Sequence, residues 1–118
     1  MNDSSRINPV AVLFHLEDQL ARLLAEGLHL AGCHVAAEHA MPDATIVFCA
    51  AESGILQDAL LQYPHLPVVV VSRLPEDGDW LDALEAGATD YCGTPFETVQ
   101  LRWLVAAHIR PLAAQASA

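Results

Sequence analysis

The sequence predicts an α/β fold, a doubly wound parallel sheet with helices on both faces. Three observations carry that prediction. The apolar runs at residues 10–14, 44–50 and 68–72 lack the polar alternation of a half-solvated strand, as strands covered on both faces do. Other stretches repeat apolar residues at i, i+3, i+4, the period of an amphipathic helix. The two kinds of segment alternate along the chain, the order of β-α units.

Each element can be justified in turn. Residues 1–8 are polar and expected to fray. The first strand is residues 10–14. The first helix covers 17–31, with Leu20, Leu23, Leu24, Leu28 and Ala31 on one face and Gly32 as its stop. Residues 44–50 form a strand. Ser53 is a suitable N-cap for a helix over 54–63, whose apolar stripe is Ile55, Leu56, Ala59 and Leu60. Pro64 and Pro67 bracket a loop. Residues 68–72 hold four successive valines, whose branched side chains favour a buried, pleated site. Asp77 or Asp79 opens the next helix, which ends at Gly87. A short strand follows over 89–92. The last helix runs over 98–109 and is stopped by Pro111, with Val99, Leu101, Leu104, Val105 and 107–109 as its apolar positions.

One connection is too short. Residues 33–38 can form a strand, and the next strand begins near Asp43. A crossover helix needs at least about ten residues, so none is expected between them. The second strand is therefore reduced or irregular, and apolar sheet surface is expected to stand uncovered on one face.

Composition sets outer bounds. The 118 residues allow one domain, with a core over about 10–110 and with 111–118 as a tail or the start of a linker. The net charge is −10, from 5 basic and 15 acidic residues, and every basic residue is Arg. Such a surface repels phosphate backbones, so no direct nucleic-acid binding by this segment is expected. The apolar runs are too short to span a membrane and no signal peptide is evident, so a cytoplasmic location is expected. Cys33, Cys49 and Cys92 are odd in number and form no Cys-x-x-Cys, which argues against a disulfide framework or zinc site. Two of them lie in expected strands as small buried hydrophobes.

The stretch 67–96 is the most specific. It carries Ser72 at a strand end, then Ala86-Gly87-Ala88, Asp90-Tyr91 and Pro95-Phe96. This series resembles the receiver domains of two-component response regulators, over roughly residues 10–109. The resemblance implies a flavodoxin-like sheet. It also implies a phosphorylation pocket: two acidic residues after the first strand, a phosphoacceptor Asp ending the third, Ser or Thr ending the fourth, and a Lys before the Pro. Such carboxylates hold Mg²⁺, and the metal and Lys neutralise the transferred phosphoryl group. Carried onto this chain, the acidic pair falls at His15 and Leu16, the phosphoacceptor at Phe48 and the Lys at Thr94. Ser72 keeps the family's residue type, and Tyr91 stands at its aromatic switch position. The chain thus looks like a pseudo-receiver. Its turn Ala31-Gly32-Cys33-His34-Val35 and short second strand are similar to the N-terminal head of amidase-type (ANTAR) transcription antiterminators. That resemblance implies a protein partner and a separate RNA-binding domain.

Several residues carry alternatives. The resemblance implies a cis peptide at Thr94–Pro95; an ordinary trans turn is the other reading. Ser72 and Tyr91 either retain a switch motion or serve as a strand-end cap and a packed aromatic. The acids Glu76, Asp77, Asp79, Asp82 and Glu85 either complement a helix dipole or, with Trp80, face a partner. Trp103 either anchors an interface or packs under the last helix. His29, His34, His39, His65 and His108 show no ligand spacing and are expected at the surface. The favoured expectation is a phosphorylation-independent regulatory module acting through protein contacts, as a homodimer, in bacterial transcription regulation or antitermination. No catalytic residue, cofactor or metal is expected. A small-ligand sensor using the vacated pocket is the alternative, and a thiol enzyme built on His15 and Cys49 is a further one.

Overall fold

The computed structural model describes residues 9–36, 44–73 and 77–108, with backbone alone for Ser53 and 77–80. Its elements are β1 (Val10–Phe14), α1 (Asp18–Leu30), β2 (His34–Ala36), β3 (Ile46–Ala50), α2 (Ser53–Gln62), β4 (Val68–Ser72), α3 (Asp77–Glu85), β5 (Asp90–Gly93) and α4 (Thr98–His108). The strands form one parallel sheet in the order β2-β1-β3-β4-β5. The order reverses between β1 and β3, so their carboxyl ends flank the crevice where such sheets place sites.

The valine-rich strands alternate between two cores. Ala11, Ile46, Phe48, Val69 and Val71 face α1 and α4, meeting Leu20, Leu24, Leu28, Leu101 and Leu104. Val12, Phe14, Val47, Cys49, Val68 and Val70 face α2 and α3, meeting Leu56, Ala59, Tyr63 and Ala83. Burial on both faces explains the absence of polar alternation in β1, β3 and β4.

The strand starts are tied by threonines. Thr45 Oγ1 accepts from the Val10 amide at 2.8 Å and donates to the Val10 carbonyl. Thr89 Oγ1 likewise accepts from the Val68 amide at 3.0 Å.

Two helices end by the same device. After α1, the Gly32 amide donates to the His29 carbonyl and the Cys33 amide to the Leu28 carbonyl. After α3, Gly87 donates to Leu84 and Ala88 to Ala83. Both glycines have positive φ, +87° and +114°. These are Schellman caps, in which a left-handed residue lets the chain turn back on its last carbonyls. Each is followed by a buried residue, Cys33 or Ala88.

Several expectations shift. Glu17 and Glu52 are the N-cap residues of α1 and α2, so Ser53 is the first helical residue rather than the cap. Strand β2 has three residues: Cys33 precedes it as part of the turn, and residues 37–43 of the expected path lie outside the described residues. No helix lies between β2 and β3 among the described residues. The expected bare sheet surface is not found there: Val12 and Val47 are fully buried, and Val35 alone on β2 is an exposed large apolar residue, at 38%. So short an edge strand presents little surface to cover. The expected stripe of the last helix also shrinks, since Val99 is exposed. Ile109 lies outside the described residues.

Candidate functional site

The strand register lines up the carboxyl ends of the sheet. Phe14 pairs with Cys49, Ala50 with Val71, and Ser72 with Gly93. Beyond this row a depression of about 520 Å³ opens, bounded by His15, Leu16, Ala50, Ser72 and the start of α2.

His15 is in the left-handed region, φ 57°, a conformation His adopts more readily than most residues. Its ring stands edge-on to Phe14 with centroids 4.4 Å apart. Leu16 lines the depression and packs against the α1–α4 core.

Phe48 is not at this site. It pairs with Leu13 and Val69, two residues inside the strand end, and is fully buried in the α1–α4 core. The third strand's contribution to the depression is Ala50, with Ala51 and Glu52 beyond it. The strand ends at Ala50 as expected, and the count from Asp43 that gives Phe48 stops two residues short of that end.

Thr94 is adjacent to the site without lining it. Its amide donates to the Ser72 carbonyl at 3.2 Å, and its hydroxyl to the Arg73 carbonyl. The side chain thereby ties the end of β5 to the end of β4. The Thr94–Pro95 peptide is cis.

Three charged residues at the rim were not singled out in the sequence. Arg73 pairs with Glu17 at 2.6 Å across the mouth, and Glu52 stands on the third side. The Arg73 and Glu17 side chains are 41% and 58% exposed, so the pair is screened by water and contributes about 1 kcal/mol or less. The sequence signal of Glu17 and Arg73 was position alone, each being one residue past an expected pocket residue, and Glu52 had none.

The donor set does not suit Mg²⁺. His15, Leu16 and Ala50 offer no hard oxygen ligand at the strand ends, and the carboxylate of Glu17 is engaged by Arg73. No group of three or more His, Cys, Asp or Glu able to hold a metal occurs among the described residues.

The cysteines are buried in the cores. Burial pushes the Cys33 thiol up to about 11, opposed by a hydrogen bond with the Ala11 backbone. Burial pushes Cys49 and Cys92 up to about 12, with the Asp90 charge adding to the effect at Cys92. Cys49 points away from His15's depression, into the α2–α3 core.

Tyr91 is half-buried, and its hydroxyl is enclosed with no hydrogen-bond partner. Its neighbour Asp90 accepts from the Tyr91 amide at 2.7 Å and meets His108 Nε2 at 2.8 Å. His108 is therefore a half-buried tie between α4 and β5, not the free surface residue the spacing suggested.

Of the two tryptophans, one side chain is described. Trp103 is 73% exposed, which excludes packing under the last helix, and Val99 one turn away is 63% exposed. The Trp80 side chain lies outside the described residues, as do those of Glu76, Asp77 and Asp79; Asp82 and Glu85 are exposed.

Solved structures share this fold. A response regulator from Thermotoga maritima superposes with a TM-score of 0.68 at 17% identity, over 86% of this chain and 98% of that one. The fold is that of receiver domains. A response regulator receiver domain protein from Clostridium thermocellum matches with a TM-score of 0.67 at 14% identity, over 94% of this chain and 99% of its own. NtrX from Brucella abortus, in complex with ADP, matches at 0.72 and 20% identity, over 92% of this chain but 28% of NtrX. No family model and no curated protein sequence matches the chain. No helix among the described residues is long and apolar enough to cross a membrane.

Proposed function

We propose that this receiver-fold chain is a phosphorylation-independent regulatory module, a pseudo-receiver, that acts by protein–protein contact. The carrying observation is the set of side chains at the carboxyl ends of β1 and β3. His15, Leu16 and Ala50 line the depression at the strand ends, where the resemblance to receivers implies carboxylates. Transfer chemistry is almost entirely charge placement around a metal and a phosphoryl group. Without the acids there is neither acceptor nor metal seat. The buried, high-pKa thiols argue against a thiol enzyme, because the thiolate is the nucleophile.

The contact surface is the outer face of α4, around Val99 and Trp103. Together they present a large apolar area to water, and Trp is among the residues that carry most interface energy. The proposed partner there is a second copy of the chain. Regulation of transcription or antitermination would belong to an effector domain or a further protein. The Gly-Cys turn supports that output weakly: its geometry is a helix cap that recurs at 86–88.

Beryllofluoride with Mg²⁺ is expected to leave the amide spectrum unchanged. A saturable shift centred on Ala50 and Ser72 would overturn the reading. Sedimentation equilibrium should show a dimer that Trp103→Glu dissociates without loss of helical signal. A clean monomer of the unaltered chain at high concentration would refute self-association.

A further inference from the structure

The outer face of α4 pairs a large apolar side chain with an empty place of matching character. Trp103 is 73% exposed, and beside it opens a recess of about 410 Å³ lined by Arg102, Ala106 and Ala107. Residues three and four apart share a helix face, so the two alanines lie one turn beyond the indole. Both are exposed and neither carries a side chain beyond Cβ, so they form a shelf that no described side chain fills.

Two features select a second copy of the chain as the occupant. The first is charge. Among the described helices, α1 holds Asp18 and Glu26, α2 holds Asp58, and α3 holds Asp77, Asp79, Asp82 and Glu85, whereas α4 contains no Asp or Glu. Glu97 precedes α4, at the end away from the alanines. In a chain of net charge −10, α4 is therefore the described helix on which two copies can meet without setting acid against acid, and Arg102 enters the negative field of the other copy. The second feature is self-complementarity. A two-fold contact sets residue i on j and j on i. Antiparallel helices seat each Trp103 on the other copy's Ala106 and Ala107 and fill both recesses at once. Parallel helices would set Trp103 against Trp103 and leave both recesses empty.

We propose that two copies pack α4 against α4 in antiparallel order, each Trp103 in the other's recess, and that ionic strength regulates the contact. This mode rests on the self-association proposed above and adds its geometry and its control. Away from α4 the copies carry like charge, which repels across gaps shorter than the Debye length, about 10 Å at 0.1 M salt. Salt screens that repulsion and leaves the apolar seat in place, so added salt tightens the dimer. An interface held by exposed ion pairs responds with the opposite sign.

Sedimentation equilibrium of the full chain tests both parts. Raising sodium chloride from about 20 mM to about 500 mM should lower the dissociation constant roughly tenfold or more. At the higher salt, Ala106→Leu should raise it roughly tenfold or more, because overpacking a filled recess is unfavourable. On an apolar patch without a seat, the added Leu would instead strengthen association through extra buried area. Ala106 is exposed and Leu is a good helix former, so the variant should keep the parent's helical signal in circular dichroism. A dimer whose affinity Ala106→Leu leaves unchanged or raises overturns the seat, with self-association itself left standing. A dimer that salt weakens overturns the regulation. A monomer at both salt concentrations removes the self-association beneath both.

Discussion

Phe48 and Ala50 differ by two positions and belong to different environments. Phe48 is fully buried, so Phe48→Asp places a carboxylate among Leu20, Val69 and Leu101. Loss of the packed ring alone costs about 3–5 kcal/mol, and the buried acid adds to it. Urea melts should show that variant unfolded or nearly so. Ala50→Asp puts the same carboxylate on the rim of the depression, and its unfolding midpoint should stay close to that of the parent. Equal effects of the two substitutions would place the strand end incorrectly. The cysteines give a pH prediction. Their folded pKa values are raised from 9 to about 11 for Cys33 and about 12 for Cys49 and Cys92. A raised thiol pKa means that the unfolded chain ionises first as pH climbs. The stabilisation from burying neutral thiols is thus complete below pH 9 and drains away as pH rises toward 12. Denaturation midpoints should hold steady to about pH 9 and then fall, and a thiol reagent at pH 8 should react fully only after unfolding.

Helices and turns carry the next set of constraints. Gly27 is where α1 approaches α4. A Cβ added there would lie 2.6 Å from Leu101 Cδ1 and 3.7 Å from Phe96 Cβ. Gly27→Ala gains about 1 kcal/mol in helix propensity, and overpacking costs about 1–3 kcal/mol. A small net loss is expected, readable as a melting temperature lower by a few degrees. Gly87→Ala should cost more, about 1–3 kcal/mol, because Ala must hold φ +114° and its Cβ meets Leu60 at 3.0 Å. Gly54 is the matched control. A Cβ there meets nothing within 4 Å and the residue lies within α2, so Gly54→Ala should stabilise by roughly 0.5–1 kcal/mol. These caps were legible in the sequence as Gly32 and Gly87, since a glycine closing an apolar-periodic segment has few other uses. The close approach at Gly27 was not legible, because nothing local says which helix face meets another helix.

At the scale of the whole molecule, two sides of one sheet must both be covered, and the described residues meet this with two helices on each face. Strand β2 is reduced to three residues, which is compatible with the short connection that follows. The acidic balance also acts at this scale. Binding to duplex DNA should be undetectable in a mobility shift at 150 mM salt, and low salt should not restore it, because lowering salt strengthens repulsion between like charges.

The sequence by itself determined the alternation of strands and helices, the parallel sheet and the helix stops at Gly32 and Gly87. These follow from local periodicity and from backbone conformations only glycine takes easily, which neighbouring residues reveal. Tertiary structure alone decided that Phe48 is buried in the α1–α4 core while Ala50 lines the depression, and that Arg73 and Glu17 meet across the crevice. It also tied His108 to Asp90 and left the Tyr91 hydroxyl unmatched. Each of these depends on register or on contacts between residues distant in the chain, and a one-dimensional pattern holds no record of the distances that decide them.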